Sequence, residues 1–104
     1  MNEMNESVEF DAVAAPVGEI VERPCPKLGC VIRVKRLSAG DILRLSKGEH
    51  SSVAMVAASV MKKDGTPVYG DAKAALAEGW GKISAALEIV HQVNGIDVGT
   101  AEKN

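Results

Sequence analysis

The chain has 104 residues, which is the size of one small domain. Its 12 basic and 14 acidic residues give a net charge of −2, which argues against a nucleic-acid surface covering the domain. The first residues do not have the pattern of a signal peptide, and no apolar run approaches the ~20 residues of a membrane span. Aromatic residues make up only 3% of the chain, so the core must be aliphatic.

The pattern predicts a small single domain of the α+β class, with an N-terminal β-hairpin followed by three to four helices. Residues 1–16 are polar and then small and apolar, with no clear period, and they are predicted to form a flexible arm. Residues 17–96 carry the periodic segments and form the predicted domain. Residues 97–104 are polar and are predicted to be a loose tail.

Two segments rich in β-branched residues predict the hairpin. Residues 17–23 and 30–37 flank the sequence PCPKLG, whose prolines and glycine are typical of a turn. In the second segment, Ile32 and Val34 fall on one face of the strand, and Arg33 and Lys35 fall on the other.

The basic cluster of this strand has two interpretations. Arg33, Lys35 and Arg36 can pair across the hairpin with the acidic Glu19 and Glu22. Alternatively, the three bases form a docking patch for an acidic partner.

The cysteines Cys25 and Cys30 lie at the two ends of the predicted turn. In a reducing compartment they are expected to be free thiols, with a disulfide across the hairpin as the alternative. A zinc site would need His50 and His91 as further ligands, but these two lack the paired spacing of a zinc finger.

The first helix is predicted over residues 39–47. Ser38, with Asp41 three residues later, resembles a capping box, although the usual third-position residue is Glu or Gln. Lys47 and Gly48 indicate the end of this helix.

The central helix is predicted over residues 53–61, VAMVAASVM. Both of its faces are apolar or small, which indicates burial on most sides. Ser51 or Ser52 is expected to cap it, and Lys62 and Lys63 suit its C-terminal end.

The remaining segments predict a turn and two more helices. Asp64-Gly65 indicates a turn before a short extended piece over residues 66–69, and Asp71 is positioned to cap a helix over residues 72–78. The last helix is predicted over residues 80–93, with Gly95 as a left-handed cap. A stripe at helical spacing is expected to face the core, with a docking face as the alternative, and consists of Leu76, Trp80, Ile83, Leu87 and Val90.

The residues of an active site are not recognisable in the sequence. The glycines form neither a phosphate loop nor a dinucleotide fingerprint. His91 has no predicted acidic neighbour and is expected at the solvated surface, and the cysteines lack a motif that would make them nucleophiles. We therefore expect no enzymatic activity and no cofactor.

The order of three motifs resembles the tail assembly chaperones of long-tailed bacteriophages. A strand and helix start, VIRVKRLSAGDILRL, leads to VAMVAASVMKKDGTPVYGD and then to ALEIVHQVNG. The resemblance covers residues 17–96. The Gly79-Trp80-Gly81 segment and the cysteines around the first turn depart from the family pattern.

The resemblance implies a small non-enzymatic protein of the host cell cytoplasm that binds the tape measure protein and helps recruit tail tube subunits. Such a protein is not retained in the mature virion. The alternative is a small structural virion protein, a tail completion or connector subunit. Self-association through a sheet edge or an apolar helix face is a further expectation.

The resemblance also implies a longer product made by ribosomal frameshifting, since the terminal Glu102-Lys103-Asn104 can be encoded by an A-rich run. Candidate partner-binding residues are Arg33, Lys35, Arg36 and Trp80, with no nucleic-acid or membrane partner expected.

Overall fold

The computed structural model describes residues 9–12 and 16–95 and confirms the α+β class. A three-stranded antiparallel sheet packs mainly against the second and fourth of the four helices, and the first and third helices pack against the second. Phe10–Ala12 forms one 3-10 turn in which Phe10 is 94% exposed. The rest of the predicted arm before residue 16, and the predicted tail over residues 97–104, lie outside the described residues.

The predicted hairpin is confirmed. Strands β1 (Ile20–Cys25) and β2 (Cys30–Lys35) pair in antiparallel register, with Val21 opposite Val34 and Cys25 opposite Cys30. Between them the chain makes a 3-10 turn over Pro26–Leu28.

A bulge precedes β1 and explains why that strand begins later than predicted. Arg36 is opposed by two residues, since its N–H donates to the Glu19 carbonyl (2.8 Å) and its carbonyl accepts from the Gly18 N–H (2.8 Å). Gly18 has a φ of 91°, which glycine adopts without strain. The bulge ends the regular ladder at Ile20.

Two of the four helices begin at a predicted capping residue, and a third ends at the predicted glycine cap. Helix α1 (Ala39–Ser46) follows Ser38, whose hydroxyl accepts from the Asp41 N–H (3.0 Å). Helix α3 (Ala72–Leu76) follows Asp71, whose carboxylate accepts from the Ala74 N–H (2.9 Å), and it is shorter than predicted. Helix α4 (Trp80–Asn94) ends at Gly95, which has a φ of 72° and confirms the left-handed cap.

The central helix corrects two predictions. Helix α2 (Ser51–Ser59) begins after His50, which makes no side-chain capping bond, so neither Ser51 nor Ser52 is the cap. The helix also does not run to Met61: Val60 is extended, and Val60–Met61 forms strand β3, paired with Val34 and Arg33 of β2. Hydrogen bonds to the free edge of β2 replace the last helical turn. This pairing is a tertiary interaction, and the local helical pattern of the sequence does not predict it.

After β3 the chain turns back on itself, as the Asp-Gly signal predicted. The N–H of Lys62 donates to the Thr66 carbonyl (2.6 Å), and the N–H of Val68 donates to the Val60 carbonyl (3.1 Å). The Asp64 carboxylate accepts from the backbone N–H (3.0 Å) and the hydroxyl (2.6 Å) of Thr66. This short hairpin leads the chain from β3 to α3.

The core lies between the inner face of the sheet and helices α2 and α4. Val34, Val56 and Val90 are each at most 1% exposed. The predicted stripe of the last helix is buried at Ile83 and Val90 and half-buried at Leu87, but Leu76 is 46% and Trp80 is 63% exposed. The core prediction is wrong for these last two because Gly79 is extended and separates α3 from α4, so the stripe does not continue across it.

Replacing Val56 with aspartate is expected to abolish cooperative folding, because a buried carboxylate without a partner is costly. Leu43, on α1, is 62% exposed and provides a matched control. Circular dichroism melts of Val56→Asp and Leu43→Asp test this. A native-like melt for Val56→Asp would show that this position is not central to the core.

Ser59 ends α2 with a fully buried hydroxyl that makes no hydrogen bond within the described residues. Ser59→Ala should therefore raise the free energy of unfolding by about 1 kcal/mol, because an unsatisfied buried group is removed. The control is Ser84→Ala, since the Ser84 hydroxyl donates to the Gly81 carbonyl (3.3 Å). Urea unfolding that gives equal changes for both variants would contradict this expectation.

Candidate functional site: an alanine-floored groove

Two of the predicted partner-binding bases are held in ion pairs by the hairpin. The Arg33 Nε lies 3.0 Å from the Glu22 Oε2, and the Arg33 side chain is 25% exposed. The Arg36 Nε donates to the Glu19 Oε1 (2.8 Å), and its Nη1 donates to the Val93 carbonyl (2.7 Å). These contacts agree with the interpretation in which the bases pair across the hairpin with Glu19 and Glu22.

The other two predicted residues lie at different surfaces. Lys35 lines the groove described next, and within the described residues it makes no ion pair. Trp80 borders a separate cavity of about 240 Å³ beside His50 and Val53 at the start of α2. The four candidates therefore do not form one patch.

A groove of about 390 Å³ lies between α1, α2 and α3, and we call it the alanine groove. Ala54, Ala57 and Ala58 of α2 form its floor. Leu45 of α1 and Tyr69 line its walls. Its other lining residues are Lys35, Leu37, Asp41, Arg44, Pro67, Gly70, Asp71 and Ala72.

Charges of both signs border the alanine groove. Arg44 Nη2 lies 3.3 Å from the Asp41 Oδ1, and hydrogen bonds from Arg44 and then Ser38 lower the pKa of the Asp41 carboxyl. Asp71 is engaged in capping α3. Lys35 is therefore the basic group of the groove that remains available to an incoming carboxylate, within the described residues.

Tyr69 is fixed in place by a small polar cluster. Its hydroxyl donates to the Glu78 Oε2 (3.1 Å), which also accepts from the Lys82 Nζ (3.2 Å). Burial, and then the bond to Glu78, raise the pKa of the Tyr69 hydroxyl, while Lys82 and then Tyr69 lower the pKa of Glu78. The cluster joins the wall of the groove to the start of α4.

Tyr69 also borders a second concave surface, the β2-edge groove, of about 250 Å³. This groove lies beyond the end of β3, which pairs only with Arg33 and Val34 of β2. Its apolar rim includes Val31 (51% exposed) and Val68 (38% exposed), and Cys30 lies at the same groove. Tyr69 thus contributes to the lining of both grooves.

Side chains capable of chemistry are not grouped in the described part of the chain. No three His, Cys, Asp or Glu residues there are arranged to hold a metal ion. His91 is half-buried rather than fully solvated, and burial lowers the pKa of its imidazole. Cys25 and Cys30 are free thiols. No helix within residues 9–12 and 16–95 has both the length and the apolarity to cross a bilayer.

The floor of the alanine groove was not predicted from the sequence. The helical pattern places Ala57 on one apolar face of the central helix and Ala54 and Ala58 on the other, and it predicts burial on most sides rather than a shared groove. The shape of the groove depends on how α1 and α3, the helices before and after α2 in the chain, pack beside it. The sequence matches no family model, no curated protein and no solved structure.

Exchanging the charges of Arg33 and Glu22 tests whether this pair is structural. Arg33→Glu places two carboxylates opposite each other and should lower the free energy of unfolding by about 1 kcal/mol. Adding Glu22→Arg should recover most of that loss. Urea titrations of both single variants and the double variant measure the coupling. A zero coupling energy would show that the pair does not stabilise the hairpin.

Proposed function

We propose that this protein is a non-catalytic tail assembly chaperone that binds a helical segment of a phage tape measure protein. The alanine groove is the observation that carries the proposal. Its floor of small side chains lies between helices, with Ala54 and Ala58 partly exposed, a geometry that suits docking of another helix. The order of the strand, turn and helix motifs supports the same assignment through the family resemblance.

The chemistry of the groove indicates what kind of helix fits it. Alanines at Ala54, Ala57 and Ala58 allow the backbone of a partner helix to approach closely, as small residues do at helix interfaces. Leu45 and Tyr69 offer apolar walls to its side chains. Lys35 offers a cation to an acidic residue at one end. An apolar helix with one small-residue face and a nearby carboxylate meets these requirements.

The proposal extends to the other properties of such a chaperone. Binding covers the apolar faces of the tape measure protein in the host cell cytoplasm, and release accompanies recruitment of tail tube subunits around it. The protein is then absent from the finished virion. The exposed Trp80, outside the alanine groove, is a candidate contact for the tube protein or for a second copy.

Filling the groove should prevent binding while leaving the fold intact. Ala58 is half-buried in the floor, and Ala58→Leu should lower recovery of the co-expressed tape measure protein in the soluble fraction at least tenfold, by occupying the partner's space. Ala74→Leu is the matched control, because Ala74 is exposed on α3 and does not line the groove. Equal recovery with both variants would exclude the groove as the docking site.

Reversing the charge at the groove tests the role of Lys35. Lys35→Glu should weaken a pull-down of the tape measure protein, and the loss should be greatest at low salt, where charges are least screened. Lys63→Glu, an exposed change outside the groove, is the control. Salt-independent loss would indicate that Lys35 does not act through its charge.

The alternative function, a structural subunit of the virion, makes the opposite prediction about particles. Mass spectrometry of purified virions should detect no stoichiometric amount of a chaperone. Stoichiometric presence in particles, together with failure to recover the tape measure and tube proteins in pull-downs, would favour the tail completion or connector subunit.

A further inference from the structure

The two cysteines face each other across the end of the hairpin. Cys25 is the last residue of β1, Cys30 is the first residue of β2, and the register places them directly opposite each other. Residues directly opposite in an antiparallel pair project their side chains from the same side of the sheet. The fold therefore brings together the only two thiols of the chain.

The hydrogen-bond pattern fixes the kind of pair they form. Arg36 directs its N–H and carbonyl towards the β1 side, so alternate residues of β2, down to Cys30, do the same. Cys25 and Cys30 are therefore a hydrogen-bonded pair, for which the Cα atoms are about 5.5 Å apart. This separation lies within the range of about 4.4–6.8 Å that a disulfide spans.

The two thiols differ sharply in access to solvent. Cys30 is exposed at the β2-edge groove. Cys25 is 2% exposed, and its Sγ lies 3.9 Å from the Ala85 carbonyl. An oxidant in solution therefore meets Cys30 first, and Cys25 is the neighbour that can resolve the product.

We infer that Cys25 and Cys30 form a reversible redox site that reacts with low-molecular-weight disulfides such as glutathione disulfide. The Cys30 thiolate attacks one sulfur of glutathione disulfide, forming a mixed disulfide and releasing one glutathione. The Cys25 thiolate then attacks the Cys30 sulfur, forming the bridge and releasing the second glutathione. The two protein thiols lose two electrons and two protons, and one glutathione disulfide is reduced to two glutathione thiols.

The position of the bridge makes it a labile one. It is accessible at Cys30, which is exposed. Exposed or strained disulfides have higher reduction potentials than buried structural ones and are reduced more readily. Excess glutathione therefore returns the site to the free thiols. This inference is independent of the function proposed above.

The test exposes the folded full-length chain to glutathione disulfide, blocks remaining thiols with iodoacetamide, and measures intact mass. The wild type should lose both alkylation sites, carry no glutathione, and be about 2 Da lighter than the reduced unalkylated chain, since two hydrogens leave. Added glutathione should restore both alkylation sites. Cys25→Ser should stop at a glutathione adduct on Cys30, and Cys30→Ser should gain none, because Cys25 is buried.

Three results would overturn the inference. The first is a wild type that stops at one glutathione adduct on Cys30. The second is a bridge between two chains, and the third is an internal bridge that appears only in denaturant. Circular dichroism of each sample establishes that the reaction occurred in the folded protein. Since the wild type and both variants are measured by mass, none of these readouts depends on binding a partner.

Discussion

One row of three valines across the sheet constrains the rest of this fold. Val34 pairs with Val21 on one side and with Val60 on the other, and its side chain is fully buried. For Val60 to complete the row, α2 must end at Ser59 and the chain must become extended within one residue. The two-residue strand β3 thereby ties the central helix directly to the central strand, and α4 packs over the same row with Val90.

The geometry of β2 also determines which surface each basic residue of the hairpin contacts. Arg36 joins the bulge before β1 to the end of α4, because it contacts Glu19 and the Val93 carbonyl together. The neighbouring N–H of Leu37 donates to the Asn94 side chain (2.7 Å). Arg36 thus links the sheet to α4 through its side-chain contacts. Lys35, one residue earlier, lies at the alanine groove. Adjacent bases in the sequence serve different surfaces because a strand alternates its sides.

Local chemistry in the sequence was sufficient for the hairpin, for the caps Ser38 and Asp71, and for the stop at Gly95. It was not sufficient for β3, because Val60 and Met61 continue a helical apolar pattern and only the edge of β2 diverts them. The groove was missed for a similar reason. Three alanines on a helix have no sequence pattern that distinguishes a groove floor from a buried face. They form a groove only because α1 and α3 pack on either side of them. The order of motifs predicted a function, while the groove on which our proposal rests is visible only in the packed structure.

The late position of α4 in the chain has a consequence for synthesis on the ribosome. This helix supplies six of the buried side chains, and its contacts to Arg36 and Leu37 close a span of 57 residues. Until α4 emerges, the nascent hairpin and α2 lack the α4 side chains that help to bury Val34 and Val56 in the complete fold. The core is therefore completed only after α4 has been synthesised, and a ribosome stalled before α4 would expose an apolar surface prone to aggregation.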